Sequence, residues 1–221
     1  LLRQFHMLWL TSLSTEVMSG IFTGILRGFM LLSVPTIASL SSSVVDSSIN
    51  IYTRIQNELL PTPLKSHYTF NLRDLSKIFS GIVMVRSKHI DTKEKFLQLW
   101  THESARVFRD RLINTEDREW FDDAVLGQLH EKLDQESWNK EDFNTLAFAD
   151  LLGKGTDKEY HLLEDMHKVH ETLVESLEEY NITFPSTMDL VFFSDAIGHI
   201  CRISRVLSSP RGNAVLVAVG G

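Results

Sequence analysis

The sequence predicts a mostly α fold that ends on a short strand. Three observations carry this expectation. Apolar residues recur at three- and four-residue intervals through most of the 221 positions, the period of a helix with one buried face. Asn71, Asn114 and Ser186 stand just before such runs, where their side chains can cap free backbone N–H groups. Ala214 to Val219 is instead a continuous apolar run, the pattern of a strand buried on both faces. A hydrophobic share of 43% is enough for a packed core and excludes wholesale disorder.

The elements follow in order. Val17, Ile21, Ile25 and Phe29 recur every four residues, with Met18 and Phe22 beside them, and predict a first helix. Ser33 precedes Pro35, which suits the first turn of a second helix. There Ile37, Leu40, Val44, Ile55 and Leu59 share a face. This helix must stop before Leu60-Pro61-Thr62-Pro63, because proline disfavours helix at the residue before it. Gly28 to Val45 carries no charge and approaches the length of a membrane span. Pro35, Thr36 and five serines interrupt it, and Arg27 and Asp46 bracket it, so two helices joined near Ser33 explain it better.

Asn71 caps the next helix, with a stripe of Leu72, Leu75, Phe79 and Ile82 and with Arg73, Lys77 and Ser80 opposite. A charged helix follows from about Thr92 to Ile113, with Phe96, Trp100 and Val107 inward. Asn114 starts another, running to about Leu133. Asp134 to Asn144 and the Gly153-Lys154-Gly155 segment read as loop. A long helix is expected from Glu159 to Tyr180. After Pro185, Ser186 and Asp189 have the spacing of a capping box and start a helix reaching about Leu207. Ser208 to Asn213 is a turn cluster, followed by the apolar run and by Gly220 and Gly221.

Acidic residues outnumber basic ones, 29 to 22, for a net charge of −7. With no long basic run, the chain has no footprint for nucleic acid or an anionic membrane. The one cysteine, Cys201, cannot form an internal disulfide, and its helix register suits a buried thiol. His161, His167 and His170 fall on one predicted helix and His199 lies near Cys201, but none has the spacing of a zinc site. A surface or interface role is expected for them. Leu1 to Leu10 has no basic leader and no cleavage pattern of a signal peptide. The chain opens on leucine and stops at Gly221, as a segment of a longer protein would.

Four ordered stretches resemble dynein heavy chains, the ATP-driven microtubule motors. Pro61-Thr-Pro-Leu-Lys-Ser-His-Tyr-Thr-Phe-Asn-Leu-Arg-Asp-Leu-Ser-Lys-Ile-Phe79 is similar to a stretch of the helical lid of the third AAA+ module in the motor ring. Leu99-Trp-Thr-His-Glu-Ser-Ala-Arg-Val-Phe-Arg-Asp-Arg-Leu112 resembles the following lid helix. Val191-Phe-Phe-Ser-Asp-Ala-Ile-Gly-His-Ile-Cys-Arg-Ile-Ser-Arg-Val-Leu207 resembles the opening helix of the fourth module. Pro210-Arg-Gly-Asn-Ala-Val-Leu-Val-Ala-Val-Gly-Gly221 resembles the strand leading into that module's phosphate loop. The resemblance leans towards the axonemal branch. It implies a helical AAA+ lid over residues 11–144, preceded by the last strand of an α/β core at 1–10. Residues 145–221 would open the next module. Trimming the chain to 11–144 is then expected to leave a better-behaved unit.

The resemblance also implies site residues. Arg73 matches the lid arginine that faces the γ-phosphate, a task suited to a permanently charged, forked donor. Periodicity alone reads it as a solvent-facing helix arginine paired with the neighbours of Lys77 or with Asp74. Arg3 is a candidate arginine finger reaching a neighbouring module, although a structural arginine at a strand start is the favoured reading. Leu190 and Val191 would line the adenine. Ala218, Val219, Gly220 and Gly221 would open a phosphate loop, which needs Gly-x-x-x-x-Gly-Lys-Ser/Thr to cradle phosphates and Mg²⁺. Ala218 stands where the first glycine belongs, and the lysine and hydroxyl fall beyond Gly221. With no phosphate-loop lysine, Mg²⁺-binding acidic strand or catalytic glutamate, the segment alone is expected to be inactive and to need no cofactor. The intact motor would use ATP and ADP with Mg²⁺. Its partners would be the neighbouring AAA+ modules, microtubules, and dynein light and intermediate chains, in the cytoplasm and the cilium or flagellum axoneme. The rival expectation is a non-enzymatic all-α interaction or scaffold protein.

Overall fold

The computed structural model describes residues 4–31, 35–153 and 158–217, and within them all side chains but those of residues 35, 36, 144 and 145. Helix α1, Thr15–Met30, starts at Ser14, whose hydroxyl accepts from the Val17 N–H. Its buried face is Met18, Phe22, Leu26 and Met30, with Phe22 stacked on Phe79 at 4.5 Å. The stripe expected from periodicity lies beside it: Val17, Ile21 and Ile25 each remain 47% exposed. Two apolar stripes one residue apart have the same period, and only the neighbouring helix decides which is covered.

Ile37, Val44, Ile55 and Leu59 are buried as expected, but Ile37 lies on α2 (Pro35–Ala38), Val44 and Ile55 on α3 (Ser41–Glu58), and Leu59 just beyond it. The Ser41 hydroxyl donates to the Ala38 carbonyl and so competes with the helical ladder at the break. Helix α4, Leu72–Met84, carries a complete capping box from Asn71 and Asp74. Helix α5, Lys93–Val107, is capped by Thr92 and buries Phe96, Trp100 and Val107. It gives way to a 3₁₀ turn at Arg109–Arg111 rather than running to Ile113. Helix α6, Thr115–Lys132, follows Asn114.

The expected loop at 134–144 contains helix α7, Lys140–Thr145, because Asn139 and Asp142 form a second capping box. Strands β1 (Phe148–Ala149) and β2 (His161–Leu162) pair antiparallel. β2 therefore takes the first turn of the helix expected from Glu159. Helix α8, Met166–Thr183, begins where the Asp165 carboxylate accepts from the N–H groups of His167 and Lys168. Ser186 and Asp189 start no helix. The Asn181 side chain instead holds Met188 through two hydrogen bonds, and α9 runs Ser194–Ser208.

Residues 6–14 and 212–217 form neither helix nor strand, and Met7 to Leu10 and Val215 to Val217 are exposed. Both strands expected there are absent from the described residues. A buried strand must pair its backbone groups, and among the described residues no strand lies beside either stretch. One large core joins α1 through α6 and reaches Phe148 and Tyr160. A small second cluster of Ala149, Leu163, Val169, Ile197 and Cys201 holds α8 and α9 to the sheet. Among the described residues no helix is long and apolar enough to cross a membrane.

Candidate functional site

The first turn of α4 is the most tightly organised polar surface around a sequence-predicted site residue. Asn71 Oδ1 accepts from the Arg73 N–H at 2.9 Å, and Asp74 Oδ2 accepts from the Asn71 N–H at 3.1 Å. Arg111 reaches the same carboxylate at 2.9 Å and also donates to the carbonyls of His67 and Thr69. Its guanidinium sits 4.6 Å from the centre of the Phe70 ring. Lys77 Nζ lies 3.3 Å from Asp74 Oδ1. Asp74 is thus fully engaged, and the expected alternative, a pair between Arg73 and Asp74, does not form. The Arg73 side chain is exposed and has no hydrogen bond or ion pair among the described residues. Its backbone is fixed while its charge is free at the positive end of a helix.

Two further contacts brace this turn. Tyr68 O–H donates to Asp117 at 2.7 Å and Lys65 Nζ reaches it at 2.6 Å, which ties residues 65–70 to α6. A groove of about 910 Å³ runs along α4 from Lys77 to Met84, bounded by Arg111, by Ile25 of α1 and by the turn after α9. Leu190 and Val191 lie in the segment before α9 and are 51% and 80% exposed. Arg3, Ala218, Val219, Gly220 and Gly221 lie outside the described residues, so the arginine-finger and phosphate-loop expectations have no geometry here.

The structure adds a buried cluster that sequence reasoning missed. Glu103 of α5 is 0% exposed and accepts from Tyr160 O–H at 2.6 Å and from Arg205 Nε at 3.1 and 3.0 Å. Arg205 Nη2 also donates to it. Burial alone would lower the Arg205 pKa, but the hydrogen bond and charge of Glu103 outweigh it and raise the pKa. Burial and the Glu103 charge push the Tyr160 phenol well up. The signal was present: Phe96, Trp100, Glu103 and Val107 share one helical register, so Glu103 falls on the inward face.

Next to it, His102 Nδ1 donates to the Leu146 carbonyl, 3.1 Å away. Burial, then the Arg106 charge, lowers its pKa well below the usual value, so the ring is neutral and Nδ1 is the donor. His161 is not on the helix with His167 and His170: it lies in β2 and stacks on His89 at 5.2 Å. Cys201 is buried, and burial pushes its thiol up.

Residues 26–118 match the profile of "Dynein heavy chain, ATPase lid domain", and residues 188–221 match "P-loop containing dynein motor region D4". Over 189 residues the chain is 46% identical to mouse "Dynein axonemal heavy chain 1", covering 85% of this chain and 4% of that one. The chain belongs to the dynein heavy chain family.

It is also 40% identical over 225 residues to human "Dynein axonemal heavy chain 6", covering all of this chain and 5% of that one. A third relative is "Dynein-1-beta heavy chain, flagellar inner arm I1 complex" of Chlamydomonas reinhardtii, 41% identical over 193 residues, 82% of this chain and 4% of that one. The chain thus spans about one twentieth of the length of these relatives. It is a segment of a dynein motor region, not an independent scaffold. Within it, Arg73, Gly81 and Glu103 fall in the lid match, and Leu190, Val191 and Arg205 in the motor-region match.

Proposed function

We propose that this dynein segment supplies the lid of the third AAA+ module and the opening of the fourth in an ATP-driven, microtubule-stepping motor of the axoneme. In this reading residues 11–144 are the lid, residues 1–10 end the preceding core, and residues 145–221 begin the next module. The observation that carries it is Arg73: an unpaired guanidinium on a rigidly capped first turn, with the neighbouring carboxylate already engaged by Arg111 and Lys77. Such a group has a fixed backbone and a guanidinium with no competing partner, which suits the γ-phosphate of ATP. Leu190 and Val191, exposed in this chain, would cover the adenine of the fourth module once the rest of that module surrounds them. Gly220 and Gly221 would enter its phosphate loop, and Arg3 is the candidate finger towards a neighbouring module. The intact motor would use ATP and ADP with Mg²⁺. It would bind microtubules and dynein light and intermediate chains in the cilium or flagellum.

The test measures ATP-analogue and ADP affinity at the third module of an intact motor whose other sites are blocked. A hydrogen bond to a charged group is worth roughly 1.5–3 kcal/mol, so Arg73→Ala lowers ATP-over-ADP discrimination about ten- to a hundredfold. Arg73→Lys fails to restore it, because an ammonium lacks the planar fork. Equal discrimination in parent and Arg73→Ala returns Arg73 to a surface helix arginine.

A further inference from the structure

We propose that Glu103 is a docking latch: a buried carboxylate on lid helix α5 whose hydrogen-bonded cation, among the described residues, comes from α9, so that the lid is complete only when α9 is seated. The assignment of the two sides to consecutive AAA+ modules rests on the reading above, but the latch itself does not.

A carboxylate with 0% exposure is costly unless it is paired and hydrogen-bonded. Among the described residues, the hydrogen-bond donors to Glu103 come from later in the chain. Tyr160 is 57 residues away and Arg205 is 102. Nothing in residues 4–144 replaces them among the described residues. On α5 itself, Arg106 pairs with Asp110 at 3.0 Å and acts on Glu103 through its charge without a hydrogen bond, and His102 is neutral. Helix α4 contributes space rather than charge. A Cβ at Gly81 would lie 1.7 Å from Glu103 Oε2 and 3.0 Å from Arg205 Nη2, so the α4 backbone is shaped around the pair.

Other contacts hold α9, but none has this consequence. Arg202 lies 3.4 Å from Asp110 with its side chain 41% exposed, and an exposed pair contributes little. Ser204 and Ser208 donate to Asp150 at 2.5 and 2.6 Å. Loss of a hydroxyl leaves that carboxylate partly served by water. The apolar contribution of α9 is limited to Ile197 and Cys201 as buried residues. Loss of the Arg205 fork, in contrast, leaves a charge in the interior of the lid. A segment ending at residue 144 retains Glu103 and loses both donors, so trimming to 11–144 weakens the lid rather than improving it.

The experiment uses the whole 221-residue chain and needs no nucleotide, so its failure is distinct from failure of the Arg73 test. Urea unfolding and amide exchange are compared for the parent, Arg205→Met, Glu103→Gln and the double variant. Breaking a buried pair from one side lowers the folded-to-unfolded ratio by roughly a hundredfold or more. Arg205→Met is therefore expected to show that loss, with amides of α9 and of α5 around Glu103 both exchanging faster. Glu103→Gln in the Arg205→Met background recovers most of the loss, because an amide needs no counter-charge. Should Arg205→Met not fold at all, a folded double variant supports the latch equally. The proposal is overturned if Arg205→Met stays within about threefold of the parent, which is under 1 kcal/mol. It is overturned too if the double variant is as weak as Arg205→Met, since α9 would then be held by packing alone.

Discussion

At the scale of single residues, the chain repeatedly spends one carboxylate on several cations. Asp74 serves a helix cap, Arg111 and Lys77, which is what leaves Arg73 without a partner. Glu159 is a further case. Lys88 Nζ lies 2.7 Å from it, His89 Nε2 2.6 Å and Arg86 Nη1 2.5 Å. The hydrogen bonds from Lys88 and His89, with the Arg86 charge, hold its carboxyl down at about 2. A folded pKa below the unfolded value of roughly 4.3 adds stability above that value, and the gain is lost as pH falls towards 2. Glu159→Gln should therefore lower the urea midpoint at pH 7, and its midpoint should converge with the parent's between about pH 5 and pH 2. Parallel curves through that window would mean that Glu159 contributes no charge-linked stability. The exposure of Arg73 was legible in the sequence because it follows from helical register. The partners of Glu103 and Glu159 were not, because they lie 102 and 70 residues away and no local pattern encodes such pairings.

Among the elements, helical period was the most readable signal and burial side the least, and of the expected caps Asn71 forms while Asn114 makes no side-chain capping bond before α6. The cap read at Asn71 placed the start of α4 correctly, where the structure completes a box with Asp74, whereas the same chemistry at Asn139 and Asp142 was hidden in a stretch judged polar enough to be loop. The spacing of Ser186 and Asp189 misled, because Pro185 and the Asn181–Met188 hydrogen bonds hold that stretch extended until Ser194. In α1 the period was right and the face was rotated by one residue. Two substitutions on adjacent residues check this. Phe22 is buried and stacked on Phe79, so Phe22→Ala should cost about 3–5 kcal/mol. Ile21 is half exposed, so Ile21→Ala should fall within about 0.5–1 kcal/mol of the parent. Equal costs at both sites, measured by denaturant unfolding of the chain, would place Ile21 against a neighbour that this packing lacks.

Across the whole molecule, the mostly helical class was legible from periodicity, but the division of stability was not. The α1–α6 part is bound by one continuous core with many fully buried aromatic and aliphatic side chains, whereas α8 and α9 rest on five buried residues. Helix α8 shows the consequence. Of its residues Met166–Thr183, only Val169 is buried, with Leu173 partly covered. Glu171, Glu175, Glu178 and Glu179 crowd one helix with Lys168 as its one fixed cation, so intrahelical repulsion adds to the weak packing. Most helical stability in proteins comes from a packed apolar face, and this helix has almost none. Its cap at Asp165 secures one end only. Its amides should therefore open locally without unfolding the rest and exchange at least about a hundredfold faster than those of α5, which buries Phe96, Leu97, Leu99 and Trp100. Proteolysis under native conditions should cut first between residues 184 and 193, where Phe184, Leu190, Val191 and Phe193 are exposed. Native-state exchange resolved by helix separates the possibilities. If α8 is protected as strongly as α5, its hold on the sheet comes from more than Val169, and the chain unfolds as one unit.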